Sequence, residues 1–307
     1  LENFITNNVK DMSNMFKDCR GLKELNLNNF DTKKVINMAN MFAGMGNLES
    51  LDFSSFETNE VTDMYKMFSY CLSLQKIDVS KFVTNKVTDM SYMFEGCSRI
   101  TELDVSKFNT SLVTDMSFMF YHVEKVELLD VSHFNTDLVS DMKNMFNYCR
   151  SLTSLNLKSF NTKEVSNMYG MFLSLQSLTS LDVSNFDTSQ VTDISYFISD
   201  CPLITSLQLS NLDTSNVIKM QAIFFRCSQL KEVNVKSFNT SKVTDISYLF
   251  GSCSSLEKID LSNFDTRSVT KMNSLFMYCN SLIWVDISTF TTENVREMQA
   301  MFEGCNS

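Results

Sequence analysis

Nine cysteines are the first residues of this 307-residue chain whose type could carry chemistry. Cys19, Cys71, Cys97, Cys149, Cys201, Cys227, Cys253, Cys279 and Cys305 stand 26 residues, or a multiple of 26, apart. Neighbours in such a series could form disulfides, since Cα atoms about 5 Å apart can be bridged. The count is odd, however, and Cys149 has no cysteine 26 residues away on either side. There is no C-x-x-C pair and no histidine at the spacing a zinc site needs. The same slot carries Met45, Val123 and Leu175 elsewhere. Interchange with apolar residues marks it as a core position, where a free thiol packs as a small hydrophobe.

Nothing else in the chain has the form of a catalytic set. The two histidines, His122 and His133, fall at surface positions. Ser-His-Asp arrangements, phosphate-binding glycine loops and paired acids of unlike environment are missing. The aspartates recur evenly, whereas an acid/base pair needs two different surroundings. No enzymatic activity and no cofactor are therefore expected. The formal net charge of -10 argues against nucleic acid or an anionic membrane as partner, because phosphate binding needs a basic surface. No apolar run is long enough to insert into a bilayer.

The cysteine spacing belongs to a repeat that runs through the whole chain without a gap. Repeats begin at Phe4, Phe30, Phe56, Phe82, Phe108, Phe134, Phe160, Phe186, Leu212, Phe238, Phe264 and Phe290. Counting from that residue, position 3 is always Thr and position 6 always Val. Position 9 is Met except at Ile194 and Ile246, and position 13 is Phe except at Ile198. Cysteine occupies position 16. The eighth and ninth repeats depart most, at Phe197, Ile198, Pro202, Leu212 and Lys219.

Apolar residues at positions 9, 12, 13 and 16 have the i, i+3, i+4, i+7 spacing of one helix face. Thr or Ser at position 7 and Asp at position 8, as in Thr62-Asp63, suit a helix N-terminus. Gly44, Gly96 and Gly304 at position 15 suit its left-handed stop. Positions 22 and 24 are apolar around a polar residue, as in Leu103-Asp104-Val105, which is strand alternation. The expected architecture is thus an α/β solenoid, a right-handed leucine-rich-repeat-like stack of twelve 26-residue units. A parallel sheet would line its concave side and short helices its convex side, because strands stack at about 4.8 Å and helices at about 8–10 Å. Residues 1–307 would form a single solenoid domain, read as a segment of a longer protein cut within a repeat at both ends. Apolar faces left uncovered at the ends would favour end-to-end self-association.

The L-x-x-L-x-L segment at Leu74 to Val79, followed by V-T-D-M-S-x-M-F-x-x-C-x-x-I from Val87 to Ile100, resembles the BspA-like leucine-rich repeats of bacterial surface proteins. The similarity is greatest to the 26-residue variety of mycoplasma and Gram-positive surface proteins, and it covers essentially the whole chain. The resemblance implies an extracellular protein, attached to the cell surface through regions outside this segment, that serves adhesion or host interaction. It brings no catalytic motif with it.

Departures from uniformity nominate the binding residues. Tyr65, Tyr92, Phe118 and Tyr121 gather at positions 10, 11 and 14 of the third to fifth repeats. On the strand side, Leu128 and Trp284 at position 21 replace polar residues. Asp52, Asp78, Asp104 and Asp130 form a column at position 23, flanked by serines. Such an oxygen-rich stripe is a weak candidate for Ca²⁺, which takes six to eight oxygens, and otherwise a solvated face. The expected function is non-catalytic recognition or adhesion, with a protein or glycan on a host cell or matrix as partner. The alternatives are a structural spacer with no ligand of its own and an intracellular interaction scaffold, which unpaired thiols would suit.

Overall fold

The computed structural model describes residues 4–307. They fall into two compact bodies, one of residues 4–141 with 145–160 and the other of residues 142–144 with 161–307. In each body the 26-residue repeats stack on one another, and two rows of parallel backbone pairing run across them.

The first row passes through position 8. In one body it joins Asp11, Asn37, Asp63, Asp89, Asp115 and Asp141 in succession; in the other it joins Asn167, Asp193, Lys219, Asp245, Lys271 and Glu297. The second row holds the strands. The second body carries β1 (Ser180–Asp182), β2 (Ser206–Gln208), β3 (Lys258–Asp260) and β4 (Trp284–Asp286). β1 pairs with β2 in parallel, Leu181 facing Leu207, and β3 pairs with β4, Ile259 facing Val285. In the first body the same row is reduced to single bridges, Lys76 with Glu102 and Leu128 with Ser154.

The expected helices are not formed: no residue among those described is helical. Positions 9–16 instead fold as successive tight turns. Met67, Ser69 and Cys71 donate their N–H groups to the carbonyls three residues back, at Met64, Lys66 and Phe68. The intervening N–H groups of Met64, Lys66, Phe68 and Tyr70 donate to Asp89, Ser91, Met93 and Glu95 in the next repeat. Each turn reverses at a left-handed residue. Position 11 has φ between 53° and 59° in every repeat, and position 15 is left-handed in every repeat as well. Position 15 is therefore glycine at Gly44, Gly96 and Gly304 because of a turn, not because a helix stops there.

The physical reason lies in the spacing of the two rows. A helix bonds its own backbone and keeps about 8–10 Å from its neighbour. The turns send half their N–H groups across the stack, so this side repeats at the same backbone-to-backbone distance as the strands, about 4.8 Å. The unequal spacing from which a concave sheet and a convex helical side were expected is absent.

Asp at position 8 correspondingly caps a turn and not a helix. Asp63 Oδ1 accepts the N–H of Tyr65 at 2.9 Å, and Asp115 Oδ1 accepts that of Ser117 at 2.7 Å. Short polar side chains that bond the backbone two residues on stabilise such turns.

The inward residues are those the spacing indicates. Val61, Met64, Met67, Phe68, Cys71 and Leu74 are all fully buried. The position-13 rings stack from repeat to repeat, Phe42 on Phe68 with centroids 5.7 Å apart and 1° between planes, and Phe250 on Phe276 at 5.7 Å and 4°. Offset stacks of this kind contribute about 0.5–1.5 kcal/mol per pair beyond area burial. The irregular eighth repeat keeps its core. Phe197 and Ile198 are buried, and Phe197 meets Phe172 edge-on at 5.2 Å.

Candidate functional site

The turn row of the first body places the flank aromatics side by side. Tyr65 meets Tyr92 edge-on at 5.8 Å, Tyr92 lies parallel to Phe118 at 4.5 Å, and Phe118 meets Tyr121 edge-on at 5.2 Å. The run extends into the sixth repeat, and the part that sequence reasoning missed is His122. Tyr121 continues to Tyr148 at 6.1 Å, and His122 stacks on Tyr148 at 4.2 Å. Phe118 and His122 hold left-handed positions, as do Tyr92 and Tyr148, so the turn itself aims these rings. Cations border both ends. Lys66 Nζ sits 4.4 Å from the Tyr92 ring centre, and the Arg150 guanidinium 5.0 Å from that of Tyr148. Glu124 holds His122 Nδ1 at 3.0 Å and Arg150 at 3.8 Å. The rings face one another along the stack. What they offer to solvent is a band of edges and phenol groups, half-buried and held in place.

Trp284 is placed apart from this band, in the second body. It is 48% exposed on β4 opposite Lys258, and Ile283 beside it is 66% exposed.

The Asp column lies on the outward strand face, and each carboxylate is turned onto its own chain. Asp52, Asp78, Asp104 and Asp130 accept the N–H of Ser54, Ser80, Ser106 and Ser132 at 2.8 to 3.0 Å. These serine bonds hold all four carboxyls below the usual carboxylate range. Among the described residues no three His, Cys, Asp or Glu side chains come together closely enough for a metal ion. The Asx-turn geometry accounts for Asn at the same position, since Asn26 and Asn156 bond Asn28 and Lys158 in the same way.

The cysteines are all unpaired, seven buried and the two outermost partly so. Each thiol from Cys71 onward donates to the position-13 carbonyl of the preceding repeat, as Cys97 Sγ does to Phe68 at 3.2 Å and Cys253 to Phe224 at 3.0 Å. This bond is a reason for Cys over Val or Leu in the slot. Burial pushes the thiols of Cys71, Cys227 and Cys279 up to about 12. Thiolate, the nucleophilic form, is scarce at such values near neutral pH.

The role of one further column escaped the sequence reading. Thr at position 3 is buried from Thr6 to Thr266 and bonds the following repeat. Thr58 Oγ1 donates to the Val83 carbonyl at 2.9 Å and accepts the Val83 N–H at 2.7 Å. Its invariance among otherwise polar surface residues was the available signal.

Stacked repeats with inward Val, Met, Phe and Leu, a parallel strand row and an outward polar face define a repeat solenoid of the leucine-rich-repeat kind. The chain belongs to the family described as "Mycoplasma protein of unknown function, DUF285", which matches residues 1–103, 96–207 and 197–307. Solved bacterial structures are similar to it. A leucine-rich cell surface protein of Faecalibacterium prausnitzii shares 18% identity over 89% of this chain and 75% of its own, with a TM-score of 0.44. A leucine-rich repeat protein of Bacteroides ovatus shares 15% over 97% and 80%, at 0.43. One from Eubacterium ventriosum shares 14% over 89% and 80%, at 0.45. No curated protein sequence matches the chain.

Proposed function

We propose that this chain is a non-catalytic recognition module, displayed outside the cell, that binds a protein or glycan through the aromatic flank of its first body. The observation that carries this reading is the continuous run Tyr65, Tyr92, Phe118 and Tyr121, closed by His122 and Tyr148. The inward positions repeat almost without change, so the solenoid is a scaffold, and only its outward residues distinguish one repeat from another. Aromatic side chains fixed by their neighbours lose little entropy on binding, and aromatics are enriched where interfaces concentrate their energy. Trp284 with Ile283 is the second candidate surface.

The spacer reading has one observation in its favour. The flank rings already satisfy each other's faces, as a purely structural cover would. A binding screen of the purified chain against immobilised matrix proteins and glycans separates the two readings. Retention on a defined target supports recognition. Retention on none supports the spacer.

A further inference from the structure

The strand row is interrupted in the first body. Lys76 bridges Glu102, and Leu128 bridges Ser154. Among the described residues, no bridge or backbone hydrogen bond joins Thr101–Asp104 to Glu127–Asp130 one repeat on, and the same gap recurs between Thr205–Gln208 and Glu232–Asn234, so it is the lining that sets this rung apart. A groove of about 550 Å³ lies between the Thr101–Asp104 and Glu127–Asp130 rungs. The fifth repeat reads Val123-Glu124-Lys125-Val126-Glu127-Leu128 where the consensus has Cys-x-Ser-Leu and two polar residues.

Two properties of the groove point to the same occupant. Leu128 is 71% exposed at its side, where the neighbouring repeats of this body carry the polar Lys76, Glu102 and Ser154. Glu102, Asp104, Glu127 and Asp130 line it against one ammonium, that of Lys125. Lys76 approaches Glu102 from the preceding repeat at 3.7 Å, but both side chains are three-quarters exposed. An exposed pair of that kind is worth about 0–1 kcal/mol and yields readily to a competing cation. The carboxylates are spread along two rungs and do not converge on a point, which suits an extended cation better than a metal ion.

We infer that this groove is a docking site for an extended basic and apolar segment of a protein partner. An apolar side chain of the segment rests on Leu128, and flanking Lys or Arg side chains meet Glu102, Asp104, Glu127 and Asp130. The chain's net charge of -10 steers such a segment toward the surface. The inference rests on the recognition reading but not on the aromatic flank.

The test titrates the full chain with the peptide Lys-Leu-Lys-Leu-Lys-Leu-Lys. A second peptide replaces each Leu by Ser, and a third replaces each Lys by Glu. Leu128→Ser and the double variant Glu102→Gln with Glu127→Gln are compared with the parent. None of these side chains caps a turn, and unchanged melting curves verify the fold. Binding of the first peptide, weakened at least tenfold in both variants and at least tenfold for both other peptides, is the expected result. Parent-like binding by the variants, equal binding of the Ser peptide, or no binding of the first peptide overturns the inference. If the first peptide does not bind while a matrix target is still held through the flank, the groove is excluded and the recognition reading stands.

Discussion

Thr84 and the backbone of Asn109 in the next repeat bond each other in both directions. The hydroxyl donates to the Asn109 carbonyl at 2.9 Å and accepts the Asn109 N–H at 2.7 Å. One side chain thus satisfies a backbone donor and a backbone acceptor between repeats. Thr84→Val keeps the shape and removes both bonds. Leaving such groups unpaired costs about 1–3 kcal/mol. Thr84→Ser keeps the hydroxyl and should lose much less. Urea unfolding checks the order, parent above Ser above Val. A Val variant as stable as the parent would deny the column its role.

Ser252 distinguishes turns from helix by the sign of one substitution. Its φ is 60°, and its N–H bonds Met277 in the next repeat. A left-handed non-glycine residue is strained by about 1–2 kcal/mol. Ser252→Gly should therefore stabilise the chain, by about 1 kcal/mol or less after the extra unfolded-state entropy of glycine. In a helix the same change would destabilise. A lower denaturation midpoint for the Gly variant would contradict the turn row.

The thiol column makes stability fall at alkaline pH. The folded values of Cys71, Cys227 and Cys279, near 12, lie above an unfolded value of about 8.5. Below the unfolded value both states keep the proton and the contribution is complete. As pH rises toward the folded value, only the unfolded chain ionises, and the contribution is lost. Unfolding midpoints measured at about pH 7 and about pH 10 should show this decline. Cys149→Val, which copies the natural Val123, should reduce it. In the native state thiol reagents should react little, while denaturation without reductant should release all nine thiols. Recovery of one thiol and four disulfides would overturn the assignment.

The sequence made the inward face legible because burial imposes the same demand on any local structure. Met64, Met67, Phe68 and Cys71 point inward whether residues 64–71 form a helix or successive turns. The periodicity could not choose between them. The deciding signal was weaker: Asn14, Asn40, Asn144 and Gly170 at position 11, with Gly44, Gly96 and Gly304 at position 15, are residue types that tolerate positive φ. The Asp column was legible as a column. Its local role showed only once Ser54, Ser80, Ser106 and Ser132 were seen to donate to it. Tyr65 and Tyr121 could be named from the sequence. The stacking that links them through Tyr92 and Phe118 depends on left-handed backbone that the pattern does not encode.

The proposal that recognition is concentrated on the flank is tested most directly by a dissociation constant. Tyr65, Tyr92, Phe118 and Tyr121 are changed together to Ala, with Trp284→Ala as a separate variant. Each is titrated against a target retained in the matrix and glycan screen, with circular dichroism matched to the parent. The account predicts at least tenfold weaker binding for the flank variant, about 1.4 kcal/mol, and parent-like binding for Trp284→Ala. Parent-like binding by the flank variant would contradict it.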